Sequence, residues 1–337
     1  HARMFLALAE RAHVYLNGPE QSVWYERIDA EFDNVRAALD WSLREGDVVT
    51  VVRIFVALNR YWPARSRRRE ARRWLREALE RGTDRLPRRL LARGLRYAAE
   101  LGLAEGDLVE ARRYLEDALA IVDATADPLT AGYVLSGLGH IAARHDEFDE
   151  ARGLLLRGLE LATPTGNPDL LACLGNDLGV LEARSRNYER ALGHFTESLA
   201  NYRTIGDDTS VITLLYNLGY LATIVGQYDR AESYLAESIE TSRRLGHAFG
   251  LASSTTFLGL LELRRGRMAE AVERCREAVD LCLEVGETHR LVLAVEGLGL
   301  ALVDTSPATA LMSLAHAAFL REDAELDPVF EDDELTA

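Results

Sequence analysis

Lysine is missing from this sequence: all 39 basic residues among its 337 are arginine. A phosphate-binding P-loop needs a lysine to reach the β- and γ-phosphates, so the chain has no P-loop. Kinase chemistry built on a strand lysine, and Schiff-base catalysis, fall with it. Cysteine is scarce. Cys173, Cys275 and Cys282 make an odd number and no disulfide framework. Cys275 and Cys282 lie seven apart on one helix face and read as small buried hydrophobes. The eight histidines show no HExxH, and His140 and His145, five apart, fall on different helix faces. No GxSxG-type nucleophile motif is present. These absences predict neither an enzyme nor a metal or cofactor site. No apolar run approaches the roughly 18 residues of a membrane helix, and no cleavable signal pattern is found. A soluble, cytoplasmic protein is expected. Because the sequence starts on His1 and not Met, it reads as a fragment of something longer.

What the sequence does have is a period. Glycines recur at Gly139, Gly179, Gly219, Gly259 and Gly299, each 40 apart. Alanines hold the same step at Ala71, Ala111, Ala151, Ala191, Ala231 and Ala271. Four residues after each alanine stand Leu75, Leu115, Leu155, Phe195, Leu235 and Cys275. Three further on the position is small: Ala78, Ala118, Gly158, Ser198, Ser238, Ala278. A second glycine ladder, Gly166, Gly206, Gly246 and Gly286, keeps the register.

Within one period, "LLYNLGYLATIVGQYDRAESYLAESIE", apolar residues recur at helical spacing. Leu214, Leu218, Leu221 and Val225 stripe a first helix. "GQYD" breaks it, and Tyr228 is expected to plug the gap before a second helix carrying Ala231, Leu235 and Ser238. Small residues at the stripe ends allow close antiparallel packing. The second glycine ladder suits left-handed helix caps, and Asn167 and Asp207 after it are candidate caps of the next helix. Each hairpin exposes apolar faces on two sides, and only stacking with neighbours buries them.

The columns resemble the tetratricopeptide repeat (TPR), with Leu-Gly in the first helix and Ala plus a large apolar residue in the second. The usual period is about 34; here it is 40. The fold class implied is all-α, a right-handed superhelical TPR solenoid of antiparallel helix pairs. Seven units are expected, at 48–87, 88–127, 128–167, 168–207, 208–247, 248–287 and 288–324. The first has Asn59 at the glycine position and the last has Leu311 at the alanine position, as suits degenerate capping repeats. Residues 1–47 read as a helical leader and 325–337 as an acidic, disordered tail.

The leader phrase Glu31–Leu39 and the phrase Arg60–Leu79 resemble the opening of the C-terminal helical region in large bacterial transcription regulators of the LuxR and Streptomyces antibiotic regulatory protein types. That resemblance implies a STAND-class ATPase module and a DNA-binding module elsewhere in a parent chain. This chain would then be the non-catalytic sensor or interaction region. No nucleotide-binding module and no helix-turn-helix is found in it. A free-standing TPR adaptor is the alternative.

Between Arg60 and Arg96 fourteen arginines face four acids, whereas eight acids and no arginine follow from Glu322. A basic stripe can mark a nucleic-acid footprint. Here Ala71, Trp74, Leu75, Ala78 and Leu79 take the buried stripe. Arg65, Arg68, Arg69, Arg72, Arg73 and Arg76 are left for a solvated or domain-contacting face. The net charge of −15 disfavours a general nucleic-acid binder.

First helices of TPR arrays line a concave groove. Positions −6, −3, +1, +4 and +5 from the glycine should face it. They give Tyr133, Ser136, His140 and Arg144; Asn176 and Arg184; Tyr216, Tyr220 and Thr223; Thr256 and Arg264. Exposed tyrosines and arginines are favoured anchors. The arginines at +5 could hold a carboxylate or phosphate, or simply solvate the helix ends. The partner expected is a protein, a peptide or a small effector.

Overall fold

The computed structural model describes residues 2–16, 20–65, 67–123 and 126–323. The acidic tail, 325–337, lies outside the described residues. Among these, every regular element is a helix. Three leader helices come first: α1 (Ala2–Tyr15), α2 (Gln21–Ala30) and α3 (Phe32–Arg44). The first repeat follows with α4 (Val48–Ala57), the single turn α5 (Tyr61–Ala64) and α6 (Arg68–Gly82). Six hairpins then pair α7 (Arg88–Ala104) with α8 (Leu108–Ile121), α9 (Pro128–Arg144) with α10 (Phe148–Ala162), and α11 (Pro168–Arg184) with α12 (Tyr188–Ile205). The last three pair α13 (Asp208–Ile224) with α14 (Tyr228–Leu245), α15 (Ala248–Arg264) with α16 (Met268–Val285), and α17 (Thr288–Ala301) with α18 (Pro307–Asp323).

Local chemistry sets these boundaries. Asp47, Asp107, Asp127, Asn167 and Asp207 each accept a hydrogen bond from the backbone N–H three residues on, satisfying a donor that the first helical turn leaves open. His247 does the same with Nδ1, 3.0 Å from Gly250 N, so its proton sits on Nε2. At the other helix ends, Gly166, Gly206, Gly246 and Gly286 all have positive φ, the left-handed cap that costs glycine least. The hairpin turns show a further ladder of the same conformation: Gly106, Asp146, Arg186, Gly226 and Gly266. Two of its five members carry a Cβ, which is why composition did not reveal it.

The glycines at 40-residue steps are points of closest approach within a hairpin. A Cβ on Gly139 would lie 2.7 Å from Leu155 Cγ, one on Gly219 2.5 Å from Leu235 Cγ, and one on Gly259 2.7 Å from Cys275 Sγ. The alanine ladder is fully buried from Ala71 to Ala271. Tyr228 is half-buried, a partial plug only. In the last hairpin the register slips by one residue. Gly299 meets Leu314, Ala310 is buried, and Leu311 is 72% exposed. Ala310 therefore fills the role the period assigned to position 311.

Contacts divide the chain into two compact units. The first holds the residues up to Asp177 with Thr204–Gly206; the second holds Leu178–Arg203 and the chain from Asp207 onward. The core of the first unit is aromatic and shares leader and repeat residues. Trp62 stacks on Phe55 at 5.6 Å and meets Trp74 at 6.2 Å. Three polar groups of its aromatic residues are paired: Trp62 Nε1 donates to the Phe55 carbonyl, Trp74 Nε1 to Asp40, and the Tyr61 hydroxyl to Asp29. The core of the second unit runs from Ala183 through Phe195, Leu214, Leu218 and Leu235 to Phe257 and Leu293.

Candidate recognition site

Repeating first helices put equivalent positions side by side, so each column of the repeat becomes a strip of surface. In the first unit that strip is polar and half-buried. Tyr133 on α9 donates its hydroxyl to one oxygen of Asp169 on α11, and Arg60 binds the other at 2.7 Å. Arg96 on α7 lies with its guanidinium carbon 3.8 Å from the centroid of Tyr97 and 4.4 Å from that of Tyr133. Its Nη1 is 3.3 Å from Glu100 Oε1. A buried cation held between two ring faces and one carboxylate has restricted freedom, and such stacking suits the flat guanidinium. Burial first, and Asp169 second, push the Tyr133 phenol well above the usual tyrosine range, so it stays a donor.

One turn on, Ser136 donates to Asp177 and lies 3.4 Å from Cys173 Sγ. Burial raises the Asp177 carboxyl above its ordinary value, opposed by the charge of His140 and by hydrogen bonds from Ser136 and Asn176. Burial likewise drives the Cys173 thiol far up, so it remains protonated and unreactive. Asn176 Oδ1 is buried and has no hydrogen-bond partner among the described residues. A buried acceptor without a partner costs free energy, so a side-chain shift that uncovered it would favour an outside donor there. Three of the expected groove residues, Ser136, His140 and Asn176, thus act on Asp177, while Tyr133 binds Asp169. Arg144 stands exposed at the end of α9, away from them.

The period-based expectation missed Arg96 as a groove residue, and missed Asp169 and Asp177 altogether. Asp177 sits at position −2 from the glycine, a column that reads Tyr97, Gly137, Asp177, Asn217, Phe257 and Gly297. Such variation in chemistry at one register position was the available signal.

In the second unit the corresponding strip is closed. Tyr216 and Tyr220 are 6% and 4% exposed, which corrects the expectation that packing leaves them free. Both rings lie on Phe257, with centroids at 6.1 and 4.7 Å, and Arg290 stacks on the same ring at 4.6 Å. Thr223 and Thr256 are buried too, their hydroxyls bonded to the carbonyls of Gly219 and Ala252 at 2.9 Å. Arg184 is half-buried and Arg264 exposed. The neighbouring Arg265, 9% exposed, is the arginine that gathers Asp229, Glu232 and Glu262.

The basic face of α6 is largely compensated. Arg72 binds Glu105 and Glu110 and lies 2.8 Å from Asp107. Arg76 approaches Glu110, Arg73 Asp40 and Arg65 Asp29. Arg68 and Arg69 remain exposed. An arginine already facing a protein carboxylate has less to offer a phosphate backbone, which weakens a nucleic-acid reading of this face.

No group of histidine, cysteine and acidic residues among the described ones could hold a metal, and none of their helices is long and apolar enough to cross a membrane. Residues 169–244 and 210–284 match the tetratricopeptide repeat family. No curated protein matches the sequence. Among solved structures, the chain is similar to a Rap protein complexed with competence and sporulation factor, at 14% identity and a TM-score of 0.64, covering 96% of this chain and 98% of that one. It is also similar to the STAND protein with a tetratricopeptide repeat sensor from Pyrococcus horikoshii, at 16% identity and a TM-score of 0.61. That match covers 95% of this chain but only 52% of the other, so this chain spans about half the STAND protein's length. BtubC from P. vanneervenii shares 22% identity over 66% of this chain and 93% of its own, with a TM-score of 0.54. At these identities the likeness is one of fold: the chain is an all-helical TPR-like solenoid.

Proposed function

We propose that this chain is the recognition region of a STAND-type transcription regulator and binds a protein or peptide segment on the first-helix face of its first unit. The observation that carries this is the unpartnered Asn176 Oδ1 acceptor beside Asp177, Ser136 and His140, buried in the free chain and uncovered by a side-chain shift on binding. An extended peptide offers backbone N–H donors of the kind that acceptor lacks. The Tyr133–Asp169–Arg60 triplet would fix the flanking geometry without itself needing to move. The solved Rap structure named above holds a bound factor, and the P. horikoshii protein joins a TPR sensor to an ATPase, which supports both halves of the reading by analogy of fold.

Two experiments test it. Selection of a displayed random-peptide library on the full chain should enrich binders that Asn176→Ala holds roughly three- to tenfold more weakly than wild type; enriched binders indifferent to that substitution remove the site. The coding frame upstream of the His1 codon should contain a GxxxxGK[ST] stretch, and a frame without one removes the regulator assignment while leaving the peptide site standing.

A further inference from the structure

A second cleft on the first unit is independent of the Asn176 network. It has a volume of ≈ 480 Å³, within the range of small-ligand sites, and is framed by α1, α4 and α7. Its polar wall carries three arginines, Arg53, Arg89 and Arg93, and the imidazole of His13, against the single carboxylate of Glu10. Its floor is apolar, with Val56, Ala57 and Leu90.

The three arginines are not equivalent. Arg53 is held by Glu10, whose Oε1 receives Nε at 2.9 Å and Nη2 at 2.5 Å. Arg89 is committed to Asp127 at 2.8 Å, and Asp127 also caps α9 through Thr130. Arg93, half-buried, has no carboxylate within 4.0 Å among the described residues. His13 Nδ1 lies 3.1 Å from the Ala57 carbonyl, which fixes the ring and leaves Nε2 as its other polar atom. Arg53 and Arg93 occupy the same register position of consecutive repeats, 40 residues apart. A guanidinium without a counter-charge, on an apolar floor, is suited to a carboxylate that arrives with an apolar body, because the fork binds both oxygens at once.

We propose that this cleft binds an amphipathic carboxylate: the head group pairs with Arg93, Arg53 adds a second fork as Glu10 gives way, and the apolar part lies on Val56 and Leu90. The leader thereby enters the binding function. Glu10 is an internal competitor for the ligand, supplied by α1.

The test uses the full chain and two acid–amide probe pairs, acetyl-Gly-Leu with its amide and octanoate with octanamide, titrated by ligand-observed NMR at low salt. Each acid that binds should do so at least about tenfold tighter than its amide, the low end for a charge-assisted hydrogen bond. Arg93→Gln, with an unchanged circular dichroism spectrum, should erase that preference, and Glu10→Gln should strengthen acid binding. Binding of the peptide acid alone identifies a peptide C-terminus as the source, and binding of octanoate alone a free acid. If Arg93→Gln unfolds the chain, Arg53→Gln is the substitute and should halve the preference or more. Equal binding of acids and amides, acid binding insensitive to these substitutions, or no saturation by either acid up to about 20 mM overturns the proposal.

Discussion

Alanine at Gly219 would place a methyl 2.5 Å from Leu235 Cγ and 2.6 Å from its Cδ2. Carbon atoms prefer about 3.5–4.0 Å, so the overlap is roughly 1 Å. Leu235 is fully buried and cannot swing into solvent, so α13 and α14 must part or distort. Overpacking of this kind costs about 1–3 kcal/mol. Exchanging glycine for alanine inside a helix returns about 1 kcal/mol. The net expectation for Gly219→Ala is a loss of about 0–2 kcal/mol. Leu235→Ala alone should cost about 2–5 kcal/mol, since it opens a cavity. In that background the added methyl enters vacated space, and Gly219→Ala should become stabilising by about 1 kcal/mol. The coupling between the sites is then about 1–3 kcal/mol. A double-mutant cycle by urea denaturation measures it, provided the m-values agree across the four proteins. Additivity within about 0.5 kcal/mol would refute the claim that the glycine ladder exists for close approach inside a hairpin.

Three other outcomes follow from the geometry. Tyr220→Ala should lose about 3–5 kcal/mol, as expected for truncating a buried aromatic against Phe257; a loss below 1 kcal/mol in the same denaturation assay would put the ring outside the core. Asp107 is held below its ordinary pKa by the Glu110 backbone N–H and by Arg72, so its contribution is present above the unfolded value of about 3.9 and is lost as pH falls through the folded one. Asp107→Asn keeps a capping oxygen but loses the charge, so it should lower Tm at pH 7 and converge on wild type as pH falls below the folded value; a constant gap in a pH series of melting curves would contradict this. Arg186 holds a φ of 59°, where its counterparts in other repeats are mostly glycine. Arg186→Gly should raise stability by about 0.5–1 kcal/mol, the left-handed penalty less the extra entropy of an unfolded glycine, and a measured loss would mean that the side chain's contacts outweigh the strain.

The fold was legible because its determinants repeat. Gly139, Ala151 and Leu155 state one packing rule, and each later unit restates it, so a period carries what no single helix could. Two structural details escaped that reading. The slip that buries Ala310 and exposes Leu311 comes from a step of 11 residues between Gly299 and the buried alanine where earlier units have 12, which column alignment across fixed steps conceals. The turn ladder through Asp146 and Arg186 escaped because two of its residues are not glycine. The site was legible only in part, for a physical reason. A register position fixes which way a side chain leaves its helix, but burial depends on the neighbour it meets. Tyr133 and Tyr216 were both assigned to the groove by register. Tyr133 meets Asp169 and Arg96 and belongs to a polar strip; Tyr216 meets Phe257 and belongs to the core. Asp177 lay outside the expected columns, so the burial that makes its environment distinctive could not be anticipated from the period.

The central claim is that recognition occurs on the first-helix face of the first unit. Its most direct measurement is the dissociation constant of one library-selected peptide for wild type, Asn176→Ala and Arg264→Ala. Filling one unpartnered acceptor is worth about 0.5–1.5 kcal/mol, so Asn176→Ala should weaken binding by roughly three- to tenfold. Arg264, exposed in the second unit, should be replaceable within about twofold. Loss of affinity at Arg264 with none at Asn176 would contradict the account and move recognition out of the first unit.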